Sequence, residues 1–240
     1  GVLAQARAGV ELPGAVDEVA RHARRHQCRC GCREIVDLQP DERVIAAAND
    51  RTANEPPFPS IFPDYPAPII RVDSAGKREM VNARWGMPTP PQFLKTKTGA
   101  QKKTDPGVTN VRNLKSPHWR RWLGVEHRCL VPFTSFAENE RLSDGTRPPV
   151  WFAFDETRPL AFFAGMWTRW TSVRKVKEGE TTNDLFAFLT TEPNAEVGAI
   201  HPKAMPVILT KPEDFELWMT APAGDALRLQ RPLPDNALTI

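Results

Sequence analysis

Twenty-four prolines in 240 residues, spread along the chain rather than gathered in one tract, set the first limit on its fold. Proline has no N–H to donate and its ring fixes φ, so it is excluded from helix interiors and from central strand positions. Pro56, Pro57, Pro59, Pro63, Pro66 and Pro68 interrupt one segment, and Pro88, Pro90 and Pro91 interrupt another. Long helices cannot cross these segments. Short strands joined by long irregular connections can.

Between the prolines, apolar, β-branched and aromatic runs bounded by turn residues read as strands at 69–72, 80–85, 129–133, 150–154, 160–167, 185–190 and 207–209. Asp144-Gly145 and the stretch 178–183 read as hairpin connections. Ser116-Pro117 opens a helix, with Ser at the N-cap and Pro at the first helical position. Thr210 and Glu213 have capping-box spacing ahead of Phe215, Leu217 and Trp218. A last short helix is expected at 224–229. The fold class that follows is α+β: a strand-rich, strongly bent sheet or open β-barrel with peripheral helices. A folded domain is expected over 44–240. Residues 1–43 form a poorly specified N-terminal segment, with a candidate helix at 15–25.

Charged residues make up 25% and apolar residues 40% of the chain, as in ordinary globular domains. No apolar stretch is long enough to span a bilayer, so no membrane partner is expected. Cys28, Cys30 and Cys32 crowd together and Cys129 lies alone in an apolar run. That is no disulfide framework, and a reducing cytoplasm is expected. With His22 and His26 nearby, Cys28–Cys32 invites a metal reading, but structural zinc sites use two separated ligand pairs and no second pair is present. No metal and no cofactor are expected. The net charge of +3 permits an anionic partner, and its distribution decides whether one is favoured.

Several groups could carry chemistry. Arg84 and Trp85, followed by a lysine-rich stretch and Arg112, combine aromatic rings with cations, the combination that binds single-stranded nucleic acid. Trp119 and Trp122, spaced i,i+3 on a helix, are expected to pack inward with Arg120 and Arg121 outside. Glu138 at a strand end and His201 in a proline-flanked turn would form an acid–base pair if the fold brought them together.

These segments together resemble the SRAP family, the SOS response-associated peptidases or abasic-site processing proteins. The resemblance is carried in order by Arg84-Trp85-Gly86-Met87-Pro88, Thr109-Asn110-Val111-Arg112-Asn113, the run from Arg128 to Glu138, Phe163-Ala164-Gly165-Met166-Trp167, the run from Leu189 to Ala195 and the run from Ile200 to Leu209. It implies a protein of the DNA-damage and SOS response that binds single-stranded DNA and cross-links covalently to abasic sites. In the family a cysteine freed by removal of the initiator Met closes a thiazolidine on the sugar aldehyde, so hydrolase, protease and lyase activities are implied together. The resemblance makes Asn110, Glu138 and His201 the catalytic candidates and Arg84, Trp85, Arg112 and Trp119 the DNA-binding candidates. It implies a monomer acting on abasic single-stranded DNA, cytoplasmic and at the nucleoid when bound. The family's opening cysteine falls, by motif spacing, near Cys28–Cys32. The alternative is a single-stranded DNA-binding module that lacks the nucleophile.

Overall fold

The computed structural model describes residues 5–8, 48–52 and 58–240. Its strands, in chain order, are β1 (Gln5–Ala8), β2 (Asn49–Asp50), β3 (Phe58–Ile61), β4 (Pro66–Val72), β5 (Arg78–Trp85), β6 (Asn110–Val111), β7 (Arg128–Phe133), β8 (Ser135–Asn139), β9 (Pro149–Phe152), β10 (Ala161–Val173), β11 (Glu180–Thr191), β12 (Met205–Pro206) and β13 (Ile208–Leu209). Among the described residues four short α-helices accompany them: α1 (Pro117–Arg120), α2 (Ala195–Ile200), α3 (Pro212–Thr220) and α4 (Ala223–Ala226). The strands expected from the sequence are present. The candidate helix at 15–25 and the cluster Cys28–Cys32 lie outside the described residues.

Five strands close on themselves. β11, β10, β7, β4 and β5 follow one another by antiparallel pairing, and β5 then meets β11 in a parallel pairing of Arg84 with Leu185 and Trp85 with Phe186. The bent sheet is thus a closed barrel, which removes the open edges of the strands that form it. Its lumen is identified by contacts between strands that are not neighbours. Arg71 on β4 donates to Asp184 on β11 at 2.8 Å, and its guanidinium lies 4.0 Å from the Trp167 ring of β10. Those contacts can only be made across the interior. Residues of the same alternation as Arg71, including Ile69, Ala83, Trp85, Val131, Phe163, Phe186 and Phe188, therefore fill the barrel. Trp85 stands 5.3 Å from Phe188, and Phe133 stacks on Phe163 at 3.9 Å.

The opposite alternation faces outward and is covered by helices. Ile70, Leu130, Phe162 and Ala164 pack with Phe215, Trp218 and Met219 of α3 and with Trp119 and Trp122 around α1. Buried Arg128 donates to the carbonyls of Leu123, Trp218 and Ala221, which satisfies the C-terminal end of α3. A second sheet, in the order β3-β1-β8-β9, abuts the barrel and carries Phe136 and Phe152 into the luminal core.

Two local expectations are corrected. The helix expected to be capped by Thr210 begins at Pro212, with extended Lys211 at the N-cap and no side-chain cap. Pro212 at the first helical position sets the start instead. Residues 178–183 are not simply a connection, because the β10–β11 ladder continues to Val173 opposite Glu180. Cross-strand pairs hold this polar stretch extended: Thr171 with Thr182 at 2.7 Å, and Arg169 with Asp184 at 3.3 Å.

The tightness of the barrel gives a test. A Cβ on Gly165 would lie 2.7 Å from Cys129 Sγ and 2.8 Å from Val131 Cγ2. Gly165→Ala is expected to cost about 1–3 kcal/mol of stability through overpacking, read as a lower denaturant midpoint. An unchanged midpoint would contradict this packing.

Candidate functional site

The end of β11 organises the site. β10 pairs with β11 as far as Phe188; beyond it β12 takes over, with Thr190 opposite Pro206 and Thr191 opposite Met205. Along the other edge β6 runs parallel, with Asn110 opposite Phe188. Asn110 and the turn that precedes β12 thus flank one strand end. Arg112 joins the two sides, because its guanidinium donates to the carbonyl of Lys203. Gln230 tightens the same junction: its Nε2 donates to the carbonyls of Arg112 at 2.8 Å and Thr190 at 3.0 Å.

The turn carries His201. α2 is N-capped by Asn194, whose side chain accepts from the Val197 amide, and the His201 amide closes the helix on Val197. His201 Nδ1 lies 3.0 Å from the Ala204 carbonyl. A carbonyl can only accept, so Nδ1 carries the hydrogen and Nε2 holds the lone pair in the neutral ring. The imidazole is therefore fixed in tautomer and orientation by its own turn.

Glu138 comes from β8, on the same side of that strand as the buried ring of Phe136. Its side chain is 2% exposed, and its Oε2 is 4.0 Å from His201 Nδ1, too far for a hydrogen bond but close enough for charge to be felt. Burial pushes its carboxyl up to about 8. Its Oε1 has no hydrogen-bond partner among the described residues. The same holds for both amide atoms of Asn110 and for the Ser135 hydroxyl at the start of β8, all shielded from solvent. Buried polar atoms are nearly always paired, so the unmet Oε1 of Glu138 and amide of Asn110 mark them as candidate ligand-facing groups, whereas Ser135, of the opposite alternation to Glu138 on β8, faces the other side of that strand.

The structure thus brings Glu138 and His201 together and puts Asn110 and Arg112 on the strand end beside the His201 turn. It treats the other candidates differently. Trp85 is 1% exposed inside the barrel, where its Nε1 donates to the Thr109 carbonyl. Trp119 is 7% exposed and packs against Trp122. Neither ring has a face free for a base. Arg84 is held by Asp64 and Glu178, each at 2.8 Å. Burial pushes the Asp64 carboxyl up, but Arg84, Lys175 and Arg174 outweigh it and hold the group down at about 2. Of the two arginine candidates, Arg112 keeps the more exposed guanidinium, half-open to solvent and 3.9 Å from Glu192. Cys129 is fully buried and its thiol is pushed up by desolvation, which makes it inert as a nucleophile. Among the described residues no cluster of His, Cys, Asp and Glu could hold a metal ion.

Sequence reasoning missed Gln230. Gln230 has no local signal, since its role depends on strands far away in sequence. Sequence reasoning also missed α2 and its cap, although Asn194 stands ahead of Ala195-Glu196-Val197 as an N-cap should.

Comparisons place this chain among known proteins. A family model described as SOS response associated peptidase (SRAP) matches residues 27–240, opening one residue ahead of Cys28. The abasic site processing protein YoqW of Bacillus subtilis is 30% identical over 164 residues, covering 66% of this chain and 65% of that protein. The abasic site processing protein YoaM of the same organism is 29% identical over 151 residues, 62% of this chain and 60% of that one. The chain thus spans somewhat under two thirds of the length of these relatives. Among solved structures, a Bordetella bronchiseptica protein superposes with a TM-score of 0.58 at 23% identity, covering 85% of this chain and 95% of its own. A phage-related protein from the same organism gives 0.56 at 19%, over 98% and 92%. At such identity these structures establish the shared fold.

The raised Glu138 carboxyl has a thermodynamic signature. Its folded pKa lies above the unfolded value, so the folded state holds the proton more tightly. That contribution is fully present below about pH 4.5 and is lost as pH rises through about 8. Glu138→Gln is expected to flatten the fall in Tm between these limits and to leave the variant more stable than wild type at the alkaline end. Parallel Tm curves would show that the carboxyl is not held protonated.

Proposed function

This chain belongs to the SRAP family, and from that premise we propose that it captures abasic sites in single-stranded DNA, with Glu138 and His201 moving the protons and Asn110 and Arg112 holding the sugar and its phosphate. The observation that carries the proposal is the buried, unpaired Glu138 carboxyl beside an imidazole of fixed tautomer. The relatives named abasic site processing proteins supply the substrate class.

The chemistry needs such a pair. An abasic sugar must open to expose its aldehyde. A primary amine then adds to the carbonyl carbon, giving a carbinolamine that loses water to become an imine, and a thiol on the same residue closes the ring on that carbon. Water leaves only after its oxygen has been protonated, and the amine attacks only after it has lost a proton. A carboxyl with a pKa near 8 is protonated at neutral pH and can donate, then recover the proton from the attacking group. His201 Nε2, the free lone pair of the ring, can take a proton from the sugar hydroxyl as the ring opens. Arg112, half-exposed, can neutralise a phosphate.

Cys129 is excluded as the nucleophile by its burial. The proposed nucleophile is Cys28, ahead of which the family match begins. An amide nitrogen cannot form the imine, so the thiazolidine requires cleavage between Gln27 and Cys28, which frees an amine beside the thiol. Cleavage of that peptide bond would be the peptidase step of the same site.

The proposal is tested by incubating the protein with a uracil-containing oligonucleotide treated with uracil glycosylase, followed by denaturing electrophoresis. Wild type is expected to give a heat-stable shifted band. Glu138→Gln and His201→Ala are each expected to slow its formation by about 100-fold, the scale of general acid–base catalysis. DNA binding without any covalent band would instead assign the chain to a non-covalent single-stranded DNA-binding module.

A further inference from the structure

Glu138 and His201 do not bond to each other, because 4.0 Å separates Oε2 from Nδ1. Their spacing is therefore set by the elements that carry them and not by contact between the two groups. The His201 side has little rigidity of its own. α2 has six residues and β12 has two, and a helix so short is held by its packing rather than by its own hydrogen bonds.

Residues 230–239 touch in turn each element that carries a residue of the site. At the start of this segment, Gln230 ties Arg112, just beyond β6, to Thr190 of β11. Pro234, Asp235 and Asn236 then lash α2. The Asn194 side-chain amide donates to the Pro234 carbonyl at 3.3 Å, and the Ala195 amide donates to Asp235 Oδ1 at 2.8 Å. In return the Asn236 amide donates to the Glu196 carboxylate. Asn236 has a left-handed φ of 63°, which asparagine adopts more readily than most residues. Leu238, 5% exposed, enters the core that also holds Val197 of α2 and Phe136 of β8. Thr239 and Ala153 exchange backbone hydrogen bonds of 2.7 and 3.1 Å, one residue beyond β9, the strand that pairs Val150 with Glu138.

We propose that residues 230–239 are a brace that sets the distance between Glu138 and His201, with Asp235 and Glu196 as its positioning residues. The inference rests on the functional reading above and adds to it residues that touch neither the sugar nor the reacting atoms. The brace joins α2 to β9, and β9 joins β8, so His201 and Glu138 belong to one connected frame. Proton transfer is sensitive to that frame, since a misplacement of about 1 Å can cost about 100-fold in rate. Asp235 and Asn236 are exposed, so the bonds to α2 can be removed without opening the core.

The test compares wild type with two double variants. Asp235→Ala/Glu196→Ala removes both acceptors; Asp235→Asn/Glu196→Gln keeps an acceptor oxygen at each position and removes the charge. Cross-linking to an abasic single strand is followed in single turnover over a range of DNA concentrations. The alanine variant is expected to lower the rate constant at saturating DNA about tenfold, with the half-saturating concentration unchanged. The conservative variant is expected to restore the wild-type rate constant. Loss of folded protein would lower the amplitude of the band and leave the rate constant alone. Amide hydrogen exchange gives a readout independent of the reaction. In the alanine variant the His201 amide, which closes α2 on Val197, is expected to exchange about fivefold faster, while the β10–β11 ladder keeps its wild-type rates. An unchanged rate constant would overturn the brace, as would faster exchange spread evenly through the barrel or a conservative variant as slow as the alanine one. A wild type that gives no covalent band would overturn the functional reading instead, and unchanged exchange at His201 would then still show that the segment does not hold α2.

Discussion

Closure of the barrel is the constraint on which the rest of this structure depends. The sheet returns on itself through a parallel contact of β5 with β11 that involves only two residue pairs, Arg84 with Leu185 and Trp85 with Phe186. Where β5 stops, β6 continues along the same edge of β11 and delivers Asn110 and Arg112. Where β10 stops, β12 takes the other edge and brings the His201 turn beside them. The site exists because a five-strand barrel leaves one strand end with both edges to fill. A lumen packed with Trp85, Phe133, Phe163, Phe186 and Phe188 makes that end rigid, as interiors at crystal-like density are.

The same packing sets the protonation of Glu138. Glu138 lies on the face of β8 that carries Phe136 into the luminal core, so its carboxyl sits at the edge of an apolar interior without a cation in contact. Desolvation then favours the protonated form. Arg71, Glu79 and Asp184 show the opposite solution in the same barrel: buried charges there are paired at 2.8 Å, a structural network with nothing unmet. The contrast separates paired charges that serve stability from a buried carboxyl whose Oε1 has no partner among the described residues.

Much of this was legible in the sequence, and the failures have physical causes. Strands announced by β-branched and aromatic runs were found where expected, because their side chains fill the lumen or its outer coat. β8 and β6 were harder to see as strands. β8 has a near partner in β9 across the Asp144-Gly145 turn, but its other partner β1, and β11 for β6, lie far away in sequence, and short strands depend on partners more than on propensity. Arg84 and Trp85 looked like one cationic-aromatic element, yet neighbours on a strand point to opposite faces, so the ring went into the barrel and the guanidinium out to Asp64 and Glu178. Trp119 followed its helical spacing inward. The nearness of Glu138 and His201, 63 residues apart in the chain, came from resemblance and not from spacing; only the fold makes it physical.

The most direct measurement is the identity of the residue that holds the DNA. Protein incubated with an abasic single strand is digested, and the adduct is located by mass spectrometry together with the N-terminus of the modified chain. The expected result is a sugar-linked peptide beginning at Cys28, with both its amine and its thiol bonded to one carbon. A sugar attached to any other residue, or to Cys28 with its amide nitrogen still in the chain, would contradict the assignment of Glu138 and His201 to thiazolidine formation.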